Sequence, residues 1–316
     1  MKQRNVGKSG LRVSEIGLGC NNFGDRNDAA ESTAIIHRAL DLGVTLFDTA
    51  PIYGAEWGAS EKVLKEALGP RRKDVTIVTK FGFTPNVAAG PDTSRAGIIN
   101  SLEASLQRLG TDYVDVLMLH WRDMRTPMQE TLRALDDVVR AGKVRYIGCC
   151  NLPAWQVVES QWISKSEHLH EFIFTQDEYS LAQRKADQDL LPALAGYNMG
   201  FMPYAPLGNG LLTGKFSKNS DAPAESRLAK NTWNMGDRYL TPEKLELVDR
   251  LSRFAEERGH TLLELAISWL LANPMVCSVI AGATRVEQLE QNLAARNWQL
   301  SADELEAVDQ ICAELS

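Results

Sequence analysis

Eight short, almost continuously apolar runs recur along this chain, and segments of helical pattern separate most of them. The runs lie at 14–19, 44–49, 75–80, 114–120, 144–150, 171–176, 200–205 and 277–282. A run without polar alternation predicts a strand that is covered on both faces, as the strands of parallel sheets are. The alternation of strand and helix therefore predicts an α/β fold, either an open doubly wound sheet or a closed (β/α)8 TIM barrel.

Capping residues mark the ends of the predicted helices. Ser94 begins one helical segment and Gly110 ends it. In the segment 126–143, we predict Thr126 as the N-cap, Pro127 as the first helical residue and Gly142 as the terminator.

Polar residues fall repeatedly at the carboxyl ends of the predicted strands, which favours the barrel. These residues are Asp48, Lys80, His120, Asn151, Gln176 and Tyr204. In a barrel such ends converge on one mouth, whereas an open sheet brings together only those near its switch point. The segment before the first strand, RNVGKSGLRVSE, has the character of a hairpin that plugs the opposite end. We predict one (β/α)8 barrel domain over residues 1–316, with an N-terminal β-hairpin.

Composition and charge argue against several classes of partner. The chain has 34 basic and 41 acidic residues, a formal charge of −7, and no basic cluster that would suit nucleic acid. The apolar stretch 262–283 is interrupted by Glu264 and by Asn273–Pro274, so it predicts a buried helix and a buried strand, not a membrane span. No signal-peptide core is visible, and the five cysteines lack metal-ligand spacing. These features predict a cytoplasmic protein without a metal site.

The segment 206–240 does not fit the strand–helix repeat. It is rich in glycine and polar residues and is too long for a plain connection. We predict a flap that covers a ligand at the barrel mouth; a mobile surface loop is the alternative. Its LGNGLLTGKF stretch is not a P-loop, because five residues separate Gly208 from Gly214 and Phe216 replaces the magnesium-binding hydroxyl residue. The stretch GLGCNN, at 17–22, likewise lacks the third glycine of a dinucleotide fingerprint.

Four residues form a constellation that suits carbonyl reduction: Asp48, Tyr53, Lys80 and His120. A lysine ammonium beside the Tyr53 phenol is expected to lower the pKa of that phenol, and Asp48 is expected to keep Lys80 charged. His120 can donate a hydrogen bond to a carbonyl oxygen. That oxygen gains negative charge as hydride reaches the carbon, so a proton and a hydrogen bond stabilise it. Taken singly, these residues also suit a structural ion pair, a buried histidine and a rim aromatic; their shared place at strand ends favours a site.

At these residues the sequence closely resembles the aldo-keto reductase superfamily, in particular the branch with potassium-channel β-subunits and many bacterial reductases. The resemblance rests on VGKSGLRVSEIGLGCNNFG, FDTAPIYG, GASEKVLKEAL, IVTKFG, VDVLMLHW, RYIGCCN, TQDEYS, PYAPLGNGLLTGK and VIAGATRVEQLEQNL, which together extend over nearly the whole chain. It implies NADPH-dependent reduction of an aldehyde or ketone to an alcohol. In that reaction Tyr53 is the general acid, Lys80 and Asp48 tune it, and His120 orients the carbonyl.

The same resemblance implies the cofactor contacts. Asn151 and Gln176 are expected to hold the nicotinamide carboxamide, and Tyr204 to stack on the nicotinamide ring. The flap is expected to contact the pyrophosphate, and residues 282–292 to surround the adenosine end. The full predicted set is Cys20, Asn21, Asp48, Cys150, Asn151, Gln176, Tyr204, Ala205, Pro206, Leu207, Gly210, Lys215, Arg227, Gly282, Thr284, Arg285, Gln288, Gln291 and Asn292.

Five members of this set need a separate comment on their alternatives or on cofactor affinity and selectivity. Gln288, Gln291 and Asn292 also suit an ordinary polar helix face. Cys150 stands where many relatives have serine, and Gln291 where a glutamate is common, which concerns cofactor affinity and not the reaction. Arg285 predicts a preference for NADPH over NADH, because a guanidinium can bind a 2′-phosphate through paired hydrogen bonds.

Two rival functions stay open. The first is a nucleotide-binding regulatory or redox-sensing subunit on the same fold with slow turnover. The second is a barrel lyase that uses Lys80 as a Schiff base, which Asp48 and Tyr53 suit less well. For the predicted reductase a small carbonyl compound is the expected substrate, and Trp57, Trp121 and Trp233 either line its pocket or pack the mouth loops.

Overall fold

The structure is a computed structural model that describes residues 1–218, 222–231 and 234–315. Its strands are β1 (Gln3–Asn5), β2 (Arg12–Ser14), β3 (Ile16–Gly19), β4 (Leu46–Asp48), β5 (Thr76–Phe81), β6 (Val114–Leu119), β7 (Val144–Cys150), β8 (Phe174–Gln176), β9 (Gly200–Phe201) and β10 (Val279–Gly282). Its helices are α1 (Ala29–Asp41), α2 (Ala59–Leu68), α3 (Arg95–Leu109), α4 (Met128–Arg140), α5 (Ala154–Glu167), α6 (Leu190–Tyr197), α7 (Met235–Tyr239), α8 (Pro242–Glu256), α9 (Leu262–Ala272), α10 (Val286–Ala294) and α11 (Ala302–Ala313).

Strands β3 to β10 form one parallel sheet in which neighbours in sequence are neighbours in space. The order is β10-β3-β4-β5-β6-β7-β8-β9, so the last strand pairs with the first. Isolated parallel bridges join Phe201 to Val276 and Tyr204 to Ile280, which links the two remaining edges of the sheet. This arrangement is the predicted (β/α)8 barrel, and the open doubly wound sheet is excluded.

The apolar runs are explained by burial on both faces of the barrel wall. Val78 and Val116 point into the barrel interior, where they join one apolar cluster. Their sequence neighbours Ile77 and Leu117 point outward and pack in the layer beneath the helices. Because side chains alternate along a strand, both layers need apolar residues, and no polar alternation is visible in the sequence.

The N-terminal hairpin closes the end of the barrel that lies opposite the carboxyl ends of the strands. β1 and β2 pair in antiparallel register, with Arg4 opposite Val13. Val6 and Val13 are fully buried and belong to the same apolar cluster as the barrel interior. The predicted plug is confirmed, and it leaves the strand carboxyl ends as the open mouth.

The helix caps follow the sequence signals with one exception. Ser94 and Gly110 bound α3 as predicted. The predicted start of α4 is wrong, because Pro127 has an extended backbone (φ −59°, ψ 136°) and stands before the first helical residue. Thr126 does not cap the helix; its Oγ1 donates to Asp123 Oδ2 at 2.9 Å.

The stretch 262–283 forms α9 and then β10, as predicted from its interrupting polar residues. Within the described ranges, no helix combines the length and the apolar character that crossing a membrane requires.

Candidate active site

The carboxyl ends of β4, β5 and β6 bring the four predicted catalytic residues to one mouth. Asp48 ends β4, Lys80 is the penultimate residue of β5, and His120 directly follows β6. Tyr53 lies in the turn after β4, where its carbonyl oxygen accepts from the Ser60 amide at 3.1 Å. Parallel pairing of adjacent strands thus places residues that are distant in sequence side by side.

The turn that carries Tyr53 depends on a glycine. Gly54 has φ 106°, in the left-handed region that favours glycine, and a Cβ at this position would lie 2.5 Å from the Ala59 Cβ. The turn therefore packs directly on the start of α2, which holds the Tyr53 backbone in place.

Lys80 is the hydrogen-bonding centre of the site. Its Nζ donates to Asp48 Oδ1 at 2.6 Å, to the Thr49 carbonyl oxygen at 2.9 Å and to the Tyr53 hydroxyl at 3.2 Å. These acceptors use all three donors of an ammonium group. The Lys80 side chain has no exposed surface, so the charge depends on these partners.

The surroundings of Lys80 keep it protonated. Burial by itself would lower the pKa of Lys80, but the Asp48 carboxylate and the Tyr53 oxygen together raise it above its ordinary value. A Schiff-base lysine must present a neutral amine to its substrate. The lyase alternative is therefore disfavoured, because Lys80 is a fixed ammonium.

The pKa of Tyr53 corrects the sequence-based expectation. Burial raises the pKa of Tyr53 to about 12, and the neighbouring Lys80 ammonium, which acts in the predicted direction, offsets this only in part. The predicted net lowering is wrong. At neutral pH Tyr53 is consequently a neutral phenol that still carries its proton.

His120 is a neutral imidazole beside the Tyr53 ring. Burial, with Lys80 adding to it, holds the pKa of His120 well below its usual value. The two rings meet edge to face, with centroids 5.9 Å apart. A neutral imidazole retains one N–H donor, so His120 can hydrogen-bond an oxygen that lies near the Tyr53 hydroxyl.

The residues predicted to hold the nicotinamide adjoin these four. Gln176 Nε2 donates to Asp48 Oδ2 at 2.7 Å. The Tyr204 hydroxyl donates to Asn151 Oδ1 at 3.0 Å, and Asn151 Nδ2 lies 2.9 Å from the Cys150 sulfur. Asn151 has φ 57°, a left-handed conformation that asparagine tolerates. Amide donors and acceptors and an aromatic ring are thus grouped next to Asp48.

A group of cations lies in the residues predicted to meet the cofactor phosphates. Burial lowers the pKa of Arg227, with Arg26 adding to the effect, and burial lowers the pKa of Lys215, with Arg285 adding to it. Arg227 Nη2 donates to Asn22 Oδ1 at 3.1 Å. In the described part of the chain, Lys215, Arg227 and Arg285 form no ion pair with a carboxylate. Cations that lack carboxylate partners, with Arg285 lowering the pKa of Lys215, favour an anionic ligand.

The start of α10 organises the predicted adenosine end. Arg285 is the N-cap residue of α10 and makes no side-chain capping bond. Gln288 Oε1 accepts from the Thr284 amide at 2.9 Å and from the Thr284 hydroxyl at 2.8 Å. Asn292 is buried and donates to the Gly282 carbonyl oxygen at 3.3 Å. Thr284 bonds to Gln288, and Asn292 bonds to the backbone of Gly282, so these residues are more than a solvated helix face. Gln291, which directly precedes Asn292, is exposed.

The other predicted contacts are arranged around the mouth. The Cys20 amide donates to the Asp48 carbonyl oxygen at 2.9 Å, while Asn21 is exposed. Ala205 has φ 48° and Gly210 has φ 104°. Pro206 is buried and Leu207 is partly buried.

Sequence reasoning missed Phe83, which belongs to the mouth. Its ring lies 5.0 Å from the His120 ring and 6.0 Å from the Trp121 ring, centroid to centroid. Its position three residues after Lys80, in the turn that follows β5, could have identified it as a residue of the mouth. Trp121 is about half exposed and Trp57 is partly buried, while Trp233 lies outside the described residues.

Comparisons with known proteins agree with this geometry. The model of the Aldo/keto reductase family matches residues 15–313. A probable voltage-gated potassium channel subunit beta of Oryza sativa subsp. japonica is 38% identical over 301 residues, which cover 93% of this chain and 91% of that protein. L-glyceraldehyde 3-phosphate reductase of Escherichia coli O157:H7 is 36% identical over 331 residues, with 99% and 93% covered. An uncharacterized oxidoreductase of Bacillus subtilis is 33% identical over 324 residues, with 98% and 96% covered.

Proposed function

The chain belongs to the aldo/keto reductase family and is an oxidoreductase of that kind, and from this premise we propose that it reduces an aldehyde or ketone to an alcohol with NADPH. The observation that carries the proposal is the contact of the Lys80 ammonium with both the Asp48 carboxylate and the neutral Tyr53 phenol. The protonated Tyr53 phenol can donate its proton, and the Lys80 ammonium is already in place to stabilise the phenolate that results.

The residues present fit a nicotinamide dinucleotide. One end of the site offers the Asn151 and Gln176 amides, which suit a carboxamide because each has a donor and an acceptor. The other end holds Lys215, Arg227 and Arg285 without carboxylate partners in the described ranges, which suits phosphates. When bound, the nicotinamide supplies the hydride for the carbonyl carbon.

The protein side of the reaction follows from the protonation states. His120 donates a hydrogen bond to the carbonyl oxygen and polarises it. Tyr53 transfers its proton to that oxygen as negative charge develops there. The negative charge left on the Tyr53 oxygen then faces Lys80 Nζ at 3.2 Å, where the ammonium stabilises it. Asp48 keeps that ammonium charged through its 2.6 Å contact.

Catalytic turnover tests the proposal directly. Purified protein is assayed with aldehydes, ketones and sugars, including L-glyceraldehyde 3-phosphate, the substrate in the name of the E. coli relative. NADPH and NADH are supplied in parallel, and consumption is followed by absorbance. We expect oxidation of NADPH that depends on the carbonyl compound and on Tyr53. Absence of turnover on the whole panel, with NADPH bound, contradicts the reductase proposal.

A second candidate function is a regulatory subunit, which the resemblance to a potassium channel subunit beta favours. Such a protein binds the nucleotide and turns over slowly. The same assay separates the two, because a regulatory subunit binds NADPH tightly while every substrate on the panel reacts in only a few turnovers.

A further inference from the structure

Helix α5 exposes large apolar residues and buries polar ones, which is the reverse of what a surface helix normally does. Trp155 is 61% exposed and Trp162 is 64% exposed. The buried residues of this helix include Gln156, Ser160, Gln161 and Ser164. A helix on the outside of a globular protein normally buries its apolar residues and exposes its polar ones. Exposed tryptophans on such a helix indicate a face that another molecule covers.

The two tryptophans lie on one side of α5, and an exposed methionine lies beside the first turn of this helix. Trp155 and Trp162 are seven residues apart, which places them two turns apart on the same side of α5. Met124 is 71% exposed, and its sulfur lies 3.9 Å from Gln156 Nε2 at the start of α5. We call Met124, Trp155 and Trp162 the α5 tryptophan face.

We propose that the α5 tryptophan face is the surface through which two copies of this chain form a dimer. In a twofold dimer with antiparallel α5 helices, each Trp155 packs against Trp162 of the second copy. A twofold interface must complement itself, and two equivalent tryptophans placed on either side of an axis meet that condition.

The residues at the centre of the face permit a twofold axis. The axis crosses α5 between Trp155 and Trp162, near Val158 and Glu159. Glu159 Oε2 lies 3.8 Å from Arg122 Nη1. The two copies therefore bring together carboxylates that each have a neighbouring cation, and repulsion at the axis is small.

The exposed area of the face is close to the apolar part of a standard protein interface. The exposed parts of the two tryptophans and of Met124 amount to roughly 400 Å² of mainly apolar surface per copy. A standard interface buries about 800 Å² per partner, of which a little more than half is apolar. The face supplies about that apolar share. The ion pair of Arg133 Nε and Glu167 Oε2, at 2.7 Å on the adjacent surface of α4 and α5, suits the polar rim.

Sedimentation equilibrium of the full chain tests the proposal. The wild-type protein is expected to have twice the chain mass of 35.0 kDa. The double variant Trp155→Glu with Trp162→Glu is expected to be a monomer, with the dissociation constant raised at least about a hundredfold. A wild-type monomer at micromolar concentration overturns the proposal. A double variant that keeps the wild-type mass also overturns it.

Two further variants make the test specific. Asn100→Glu with Gln107→Glu adds the same charge at the same spacing on exposed positions of α3, and this control is expected to remain a dimer. Trp155→Glu with Trp162→Lys places opposite charges against each other only in the antiparallel arrangement. It is expected to associate about tenfold more tightly than the Glu–Glu variant, and equal association overturns the antiparallel pairing. If circular dichroism shows that the Glu–Glu variant is unfolded, Trp155→Ser with Trp162→Ser replaces it.

Discussion

The Tyr53 hydroxyl and the Lys80 ammonium are in direct contact at 3.2 Å, and burial keeps the phenol neutral while Asp48 and Tyr53 keep the lysine charged. Replacing Tyr53 by phenylalanine deletes the proposed proton donor and changes the shape of the side chain little. We expect Tyr53→Phe to lower kcat for carbonyl reduction by about 10²–10⁴-fold and to leave the Kd for NADPH nearly unchanged. Stopped-flow rates and fluorescence titration measure the two effects. A near-normal rate on a substrate whose chemical step is slow would be incompatible with Tyr53 as the acid.

Asp177 gives a pH-dependent prediction at the residue scale. Thr175 Oγ1 donates to Asp177 Oδ2 at 2.5 Å. Burial nevertheless raises the pKa of Asp177 from 3.8 to about 6, because the contacts with Thr175 and the Asn151 amide offset it only in part. The folded protein therefore binds this proton more tightly than the unfolded chain, and the associated stability is present below pH 4 and lost as the pH rises through about 6.

The variant Asp177→Asn removes this titration while keeping the shape and a hydrogen-bond acceptor. Relative to wild type, we expect its free energy of unfolding to rise by about 1–3 kcal/mol between pH 4 and pH 8, since one pKa unit corresponds to 1.36 kcal/mol. Urea denaturation at both pH values gives the difference. Asp309→Asn, at an exposed carboxylate that is paired with Arg184, serves as a matched control. A difference between Asp177→Asn and wild type that does not change with pH contradicts the raised pKa.

At the scale of elements, the segment after β9 is anchored at its far end by a carboxylate from the barrel. Glu178 accepts from the Tyr239 hydroxyl at 2.6 Å through Oε1 and from Arg238 Nη2 at 2.7 Å through Oε2. If the segment covers the cofactor, NADPH should slow proteolysis within 206–240, and release of the oxidised cofactor should limit turnover on good substrates. Limited proteolysis with and without NADPH tests this expectation. Glu178→Gln should speed cofactor release, and cleavage that is equal in both states contradicts closure.

The strands and helices also show what sequence patterns can predict. Apolar runs locate strands because both faces of the barrel wall are buried, and Ser94 and Gly110 define α3 because capping is a local interaction. Thr126 failed as a cap because Asp123, an acceptor three residues earlier, binds its hydroxyl. The position of polar residues at strand ends correctly predicted that Asp48, Lys80 and His120 meet at one mouth. The pKa of Tyr53 was not predictable, because it depends on how deeply the fold buries the phenol.

At the scale of the whole molecule, the charge distribution favours one location for an anionic cofactor. The chain has a formal charge of −7, which on average repels a dinucleotide. The hairpin of β1 and β2 closes one end of the barrel, so the mouth is the open end. Beside the mouth, Lys215, Arg227 and Arg285 stand without carboxylate partners among the described residues. Local cations on an acidic protein predict binding that weakens as ionic strength rises.

A variant of Arg285 is the most discriminating test of this charge distribution, because NADPH and NADH differ only in the 2′-phosphate. A guanidinium at the N-terminus of α10 is poorly placed against the helix dipole unless an anion lies nearby, and Lys215 is close enough for Arg285 to lower its pKa. Arg285→Ala should therefore raise the Kd for NADPH by about tenfold to a hundredfold and scarcely change the Kd for NADH. Arg12→Ala removes the same charge from an exposed site on β2, in the hairpin at the other end of the barrel, and should change neither value. If Arg285→Ala weakens both cofactors alike, or if the wild-type protein binds NADH as tightly as NADPH, Arg285 does not bind the 2′-phosphate. The Tyr53 chemistry does not depend on that result, since it requires only the nicotinamide end of the cofactor.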